Sequence, residues 1–310
     1  MDKRKRGFRG SIPLLILEIC VLLIAVGVMY VVVTMTSEVN HKDIDEENIR
    51  INEEIVRKKL TDVKQSEKKE EVKKKGYRNI ALFGVDARNG ELGRGTRSDT
   101  IMIASINQDT QEIKLISVFR DTYLNLGNDS YNKCNTAYAQ GGPEQAINML
   151  NMNLDLDITD YVTIGFSGLI DAVDALGGVE IEVTDSEISH LNNYQLCMAE
   201  ELGVDYIPVE QSGRQLLNGM QATAYCRIRY TKGDDFRRAE RQREVLRAMM
   251  DKAGDAPVST LTDMVNAVLP QVETSLDVNE ILSVLGSVAG YNMTESDGFP
   301  FEGGRAGANV

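Results

Sequence analysis

The sequence predicts an α/β fold, a mixed sheet covered by helices on both faces, preceded by a single membrane-spanning helix and a charged stalk. Three observations predict it. Apolar runs of strand length alternate with amphipathic runs of helix length from Gly76 onward. About 235 residues follow that point, enough for one domain with its own core. Ahead of it, an uncharged stretch of 18 residues, Ile19 to Thr36, has the length of a bilayer span.

Taken in order, residues 1–11 form a basic tail with Lys3, Arg4, Lys5, Arg6 and Arg9, which keeps an N-terminus cytoplasmic. Residues 12–36 form the anchor, interrupted only by Glu18. No small-residue cleavage pattern follows it, so the expected placement is a single-pass protein of the cytoplasmic membrane, N-terminus inside and the remainder extracellular. Residues 37–75 are dense in Glu, Lys and Asp without a sustained heptad and read as a solvated stalk. Residues 76–310 form the domain. Asn79 to Val85 is a buried strand ending at Asp86, and Thr100 to Ile106 and Glu112 to Val118 form a hairpin with Arg120-Asp121 at its exit. Pro143 opens a helix to about Leu150, Tyr161 to Gly165 is a strand, and Ser167 to Leu176 is helical. Gly177-Gly178 turns into the strand Val179 to Val183, Ser189 to Tyr206 reads as a surface excursion, and Leu261 to Leu269 and Val278 to Ala289 are amphipathic helices.

One region carries charge against the general balance. The chain has a formal net charge of −13, yet seven arginines fall between Tyr225 and Arg247. In the strand-like run from Ala224 to Tyr230, Arg227 and Arg229 point to one face, with Cys226 and Ile228 on the other. A helix starts near Phe236, with Asp234 or Asp235 as its N-cap. On a helical wheel, Arg238, Arg241 and Gln242 share the stripe of Val245 and Met249, whereas Arg237, Arg243 and Arg247 share a solvated face with Glu240 and Glu244. Four inward arginines (Arg227, Arg229, Arg238, Arg241) require either buried carboxylates or an anionic ligand, because an unpaired buried cation costs several kcal/mol.

Absences narrow the chemistry. The only histidines are His41 and His190, which leaves little room for a His-dependent triad or His-ligated zinc. There is no phosphate-binding Walker loop and no dinucleotide fingerprint, and Gly165-Phe-Ser-Gly168 lacks the glycine spacing of a nucleophile elbow. Asp86 and Asp99 are hard oxygen ligands with no imidazole nearby, a donor set that suits Mg²⁺ together with phosphate oxygens. Singly, each aspartate reads equally as a turn or cap residue. Among the cysteines, Cys197 and Cys226 are the candidate disulfide pair, buried free thiols are the alternative, and the sequence does not decide between them.

Eight segments, in order, resemble the LytR-CpsA-Psr family of bacterial cell-envelope proteins. They are Asn79 to Asp86, Arg97-Ser-Asp-Thr100, Ser117-Val-Phe-Arg-Asp121, Lys133-Cys-Asn-Thr-Ala-Tyr138, Asp174-Ala-Leu-Gly-Gly-Val179, Leu217-Asn-Gly-Met-Gln-Ala222, Tyr225-Cys-Arg-Ile-Arg229 and Asp235-Phe-Arg-Arg-Ala-Glu-Arg-Gln242. The resemblance implies an α/β/α sandwich with a mixed central sheet that holds a polyprenyl chain in an apolar tunnel. It implies transfer of a glycopolymer, such as a teichoic acid or capsular polysaccharide, from a polyprenyl-pyrophosphate carrier to peptidoglycan. By the same resemblance, Asp86 and Asp99 hold Mg²⁺, with Mn²⁺ as the alternative ion. Arg97, Arg120, Lys133, Arg227, Arg229, Arg238, Arg241 and Gln242 bind the pyrophosphate, and Arg120, Arg227, Arg229 and Asp235 carry the catalysis, Asp235 by activating or orienting the acceptor hydroxyl. Two positions depart from the family pattern: Phe119 stands where a proline is usual, and Cys134 where an aliphatic residue is usual. Rival functions are a polyprenyl-pyrophosphate hydrolase or lipid-pyrophosphate-binding protein without transfer, and a regulatory protein. Nucleic acid is not an expected partner, because the arginines follow the anchor and so lie outside the cell.

Overall fold

The computed structural model describes residues 40–57, 76–86, 92–229, 231, 233–277, 280, 281, 283 and 288–302. Its strands are β1 (Asn40–His41), β2 (Tyr77–Val85), β3 (Ser98–Asn107), β4 (Glu112–Val118), β5 (Tyr123–Asn125), β6 (Tyr131–Lys133), β7 (Asp160–Ile164), β8 (Val179–Val183), β9 (Gly213–Leu217), β10 (Val272–Thr274) and β11 (Asn292–Phe299). Its α-helices are α1 (Asn135–Leu154), α2 (Phe166–Ala175), α3 (Asp185–Leu202), α4 (Gly219–Arg227), α5 (Asp234–Asp255) and α6 (Val258–Val268). The expected tail 1–11 and anchor 12–36 lie outside the described residues, as do most of the expected helix from Val278 to Ala289 and the chain beyond residue 302.

Seven strands form one mixed sheet in the order β1-β10-β7-β2-β3-β4-β11. β7 runs parallel to β2 and β11 parallel to β4, while β3 runs antiparallel to both β2 and β4. Period-two alternation sorts their side chains into two layers. Ala81, Phe83, Val85, Ile101 and Ile103 pack beneath α1 against Tyr138, Ile147 and Leu150. Leu82, Met102, Ala104 and Leu115 face the other way, toward Leu246 and Met250 of α5. Both faces are therefore buried, as the sequence predicts.

Packing begins well before Gly76. β1 adds to the sheet edge beside β10, Ile44 and Ile49 pack on the α1 layer, and the Arg50 amide donates to Asn148 Oδ1 at 2.6 Å. The solvated-stalk reading of residues 37–75 is corrected over residues 40–50. Two isolated isoleucines carry no period, so their burial was invisible in the local pattern.

The expected strand from Ala224 to Tyr230 is the end of α4 followed by extended chain. Asn218 caps α4 and forms a reciprocal box with Gln221, and the buried Ala222, Thr223 and Ala224 let the helix sit close to its neighbours. Ser189 to Tyr206 is likewise no excursion: most of it is α3, opened by a Thr184–Glu187 capping box. α1 starts eight residues before Pro143 because Cys134 and Asn135 are tied to the Arg120 turn, and Gly142 at φ 70° absorbs the kink ahead of the proline.

Two family-like segments clasp each other. The Gly219 amide donates to Asp174 Oδ1 at 2.7 Å, and a Cβ at Gly219 would lie 2.2 Å from the Ile170 carbonyl oxygen. Backbone cannot yield as a side chain can. Gly219→Ala is therefore expected to push α4 off α2 and cost about 2–3 kcal/mol, read as a lower thermal midpoint, with a coupled loss of activity because α4 ends in Arg227.

Candidate functional site

The site forms where the strand ends meet α4 and α5. In the Arg97-Ser-Asp-Thr100 segment, Val85 pairs with Ser98 and Gly84 with Thr100, leaving Asp99 as the extra residue of a bulge. A bulge re-aims its side chain out of the sheet. Gly84 is required opposite, because a Cβ there would lie 2.8 Å from Thr100 Cβ. Asp99 consequently meets three arginines: Arg120 Nη1 donates to Oδ1, Arg229 Nη2 to Oδ2 at 3.1 Å, and Arg238 Nη2 to its carbonyl at 3.5 Å.

Arg120 is held by its own turn. The Asn135 amide donates to the Arg120 carbonyl at 3.1 Å, the Cys134 amide to Thr122 O at 2.8 Å, and the Cys134 thiol to Phe119 O at 3.2 Å. Burial pushes that thiol up to about 12, so Cys134 is a packed, inert anchor for the turn. Phe119, the other departure from the family pattern, stacks edge-on against Phe236 at 4.6 Å, and a Cβ at Gly298 would lie 2.3 Å from its ring. The substitution thus braces the first turn of α5, which carries Asp235.

Arg227 ends α4 and is sandwiched by aromatic rings, its guanidinium carbon 4.4 Å from the Phe166 centroid and 5.5 Å from that of Tyr194. Its Nη1 is buried without a hydrogen-bond partner, and so are Nε and Nη1 of Arg238. Arg238 makes one ion pair, Nη2 to Asp235 Oδ1 at 2.7 Å. Burial lowers the Arg238 pKa, with the Asp235 charge opposing. Burial also raises the Asp235 carboxyl above its ordinary range, against the pull of Arg238.

These groups open onto a cavity of about 1020 Å³. Asp86, Arg97, Asp99, Arg120, Arg227, Arg229, Arg238 and Gln242 line it, with Leu82, Met102, Ile164, Val245, Leu246, Met249, Met264 and Val268. The two chemistries are separated along α5: Arg238 and Gln242 lie in its first turns, and Met249 follows about 16 Å further along the axis. The cavity is therefore polar at the strand ends and apolar toward α6.

Most of the expected constellation converges here, with three exceptions in position. Arg241 is fully buried and faces away from the cavity: Nε donates to Glu187 Oε1 at 2.8 Å, Nη1 to Ile228 O at 2.9 Å and Nη2 to Thr231 Oγ1 at 2.6 Å. It belongs to a structural ion pair, the bland alternative for the inward arginines. Lys133 sits on β6 and pairs with Asp121 at 3.3 Å, outside the cavity lining. Asp235 adjoins the lining through Arg238 but is not part of it. Arg243, expected on the solvated face, is buried. Cys197 is exposed on α3 and Cys226 is buried beside the cavity, and both are free thiols, so of the two alternatives the disulfide is not formed.

Sequence reasoning missed Arg94, which lines the cavity between Gly93 and Gly95, and the ring pair Phe166 and Tyr194. A cation between two glycines just ahead of Arg97 was the available signal for Arg94. No local signal places Tyr194, since its contact is made across helices. Among the described residues there is no cluster of three or more His, Cys, Asp or Glu side chains able to hold a metal. Asp86 and Asp99 are the only carboxylates among the described residues of the lining, the donor type Mg²⁺ takes beside phosphate, and both Asp99 oxygens are engaged by arginines.

Known proteins resemble this chain in sequence and in fold. The polyisoprenyl-teichoic acid–peptidoglycan teichoic acid transferase TagU of Oceanobacillus iheyensis is 30% identical over 226 residues, 70% of this chain and 65% of that protein. The chain thus spans somewhat less than two thirds of the length of that relative. Among solved structures, protein gbs0355 from Streptococcus agalactiae superposes with a TM-score of 0.62 at 27% identity, covering 73% of this chain and 80% of that one. A structure of TagT bound to LIIa-WTA gives 0.57 at 25% identity, covering 73% and 78%. The family profile described as LytR_cpsA_psr matches residues 32–302, and with nearly the whole chain under that match the protein belongs to the LytR_cpsA_psr family.

Proposed function

We propose that the protein is a membrane-anchored phosphotransferase that moves a glycopolymer from a polyprenyl-pyrophosphate carrier to peptidoglycan. One observation carries this reading. Arg227 and Arg238 line the polar end of a cavity that continues as an apolar channel, and three of their guanidinium nitrogens are buried without hydrogen-bond partners among the described residues. A buried donor left unmade costs roughly 1–3 kcal/mol, so the site is poised for oxygen acceptors that arrive attached to a hydrocarbon. A polyprenyl diphosphate satisfies both ends at once. The relatives' names agree: TagU is named for transfer of teichoic acid to peptidoglycan, and TagT has been solved bound to LIIa-WTA.

Arg97, Arg120, Arg227, Arg229, Arg238 and Gln242 bind the phosphate oxygens. Arg120 and Arg229 exchange the single charge of Asp99 for the higher charge of the diphosphate, which frees Asp99. Asp86 and Asp99 are then the residues that would hold Mg²⁺, whose contribution when bound is neutralisation of phosphate charge. Asp235 accepts the proton of an acceptor hydroxyl, on N-acetylmuramic acid. The hydroxyl oxygen attacks the polymer-linked phosphorus, a new P–O bond forms, the bond to the bridging oxygen breaks, and polyprenyl monophosphate leaves. Little covalent chemistry is asked of the protein, only alignment and neutralisation of charge.

The test is incubation of the full chain in detergent with a synthetic lipid-linked sugar diphosphate, with and without peptidoglycan. Transfer predicts sugar joined to peptidoglycan through a phosphodiester, and monophosphate release that depends on acceptor. Release of equal extent without acceptor would establish a hydrolase instead. The same assay tests Asp235. A base must be deprotonated, and its carboxyl is held above the ordinary range, so kcat/KM should fall with decreasing pH through a value above the roughly 4 of an exposed aspartate. Asp235→Asn should lower the rate about 10²- to 10⁴-fold and remove that limb.

A further inference from the structure

The ribbon β5–β6 has no part in the donor site. Its register pairs Tyr123 with Lys133 and Asn125 with Tyr131, so alternation brings these four side chains to one face. Leu124 turns the other way and packs on the core beneath α1. Tyr123 and Tyr131 are diagonal neighbours, their ring centroids 6.2 Å apart and their planes inclined by 27°. They remain 49% and 60% exposed, so the ribbon presents a pair of near-parallel aromatic rings, a shelf, to solvent. A cross-strand ring pair steadies a ribbon by roughly 0.2–1 kcal/mol. That accounts for the pairing but not for where the shelf sits.

Its position is set by the catalytic turn. The open end of the ribbon is rooted at Arg120 and Asp121: the Cys134 amide donates to Thr122 O at 2.8 Å, Lys133 Nζ lies 3.3 Å from Asp121 Oδ1, and Arg120 Nε lies 3.5 Å from the same oxygen. A chain lying along the shelf therefore runs toward the mouth of the donor site. We propose that this ribbon face is the acceptor subsite, on which a glycan strand of N-acetylated amino sugars stacks across Tyr123 and Tyr131 and delivers its next residue to Asp235.

The chemistry selects a glycan. A pyranose has one face of C–H groups whose partial positive charge seats on the negative face of an aromatic ring, and a rim of hydroxyl and acetamido groups. The tyrosine hydroxyls, the Asn125 amide and the Lys133 ammonium surround the shelf with donors and acceptors for that rim. A lipid would require a deep apolar groove. A nucleic acid would require phosphate contacts, and the only cation on this face is already paired with Asp121 in a chain of net charge −13.

The inference rests on the transfer reading, and two measurements separate them. Binding of a soluble tetrasaccharide of alternating N-acetylglucosamine and N-acetylmuramic acid to the full chain in detergent is followed by saturation-transfer NMR. Tyr131→Ser and Tyr123→Ser are each expected to weaken binding about ten-fold, while Tyr131→Phe retains it. Donor affinity, measured on the same samples, stays at the wild-type value and certifies the fold. In the transfer assay the serine variants raise KM for acceptor with kcat for acceptor-saturated enzyme preserved. Wild-type-like acceptor affinity in both serine variants, or no glycan binding by the wild-type chain, overturns the subsite and leaves donor chemistry standing. A chain that binds the glycan on the shelf yet never joins donor sugar to it overturns the transfer reading and leaves the subsite standing.

Discussion

Arg227→Met should lower the transfer rate by about 10²- to 10³-fold, the cost of removing one preorganised donor from a charged transition state. It should do so without lowering the thermal midpoint. Among the described residues, the Arg227 guanidinium has a buried Nη1 with no partner and no carboxylate within ion-pair range, and it is held by the faces of Phe166 and Tyr194. An apolar side chain of similar length in that slot removes an unpaired buried charge and keeps contact with both rings, so the midpoint is expected to hold or rise. Loss of activity with gain of stability marks a residue poised for a ligand. Parallel loss of both would show Arg227 to be a structural cation and would count against the proposed site. Thermal unfolding beside single-turnover transfer decides between these outcomes.

Glu187→Ala should do the opposite. Both members of the Glu187–Arg241 pair are buried, at 3% and 1% side-chain exposure, and neither lines the cavity. Removing the carboxylate leaves Arg241 enclosed with only the Ile228 carbonyl and Thr231 hydroxyl as acceptors, at a cost of about 3–5 kcal/mol. For a domain of this size the midpoint falls by roughly 10 °C. The double variant Glu187→Met with Arg241→Met removes both charges and should recover most of the loss, which alanine alone cannot. The pair also sets an acid limit. Burial by itself would raise Glu187, but the Thr184 amide and the Arg241 guanidinium outweigh it and hold the carboxyl below its ordinary value. A carboxyl depressed in the fold stabilises fully above its unfolded pKa, near 4.3, and this contribution is lost as pH falls toward the folded value. Chemical unfolding at pH 7 and pH 3 should show a larger Glu187→Ala penalty at the first than at the second.

The contrast between these two arginines measures what the sequence made legible. A wheel drawn on α5 puts Arg238 and Arg241 on one inward stripe, and both are indeed buried, at 4% and 1%. One meets the cavity and the other a carboxylate 54 residues away in sequence, on a helix that local patterning had read as a surface excursion. Arg227 and Arg229 converge on the cavity as expected, although by a helix end and an extended residue rather than by one face of a strand. Position survived the wrong secondary structure because the chain is extended at Ile228, so Arg227 and Arg229 on either side of it still turn to the same side.

The sequence by itself determined the mixed sheet with both faces buried, its central strands β2, β3, β4 and β7, and the excess of guanidinium aimed inward against a net charge of −13. Those follow from periodicity and composition, which are local and additive along the chain. Only the tertiary structure decided which cations are paired and which wait, that Asp99 leaves its strand at a bulge, that residues 40–50 complete the sheet edge, and that two tyrosines form a shelf beside the catalytic turn. Each of these depends on partners brought together across long stretches of chain, where Coulomb energy and desolvation fall steeply with distance and no sequence spacing records them.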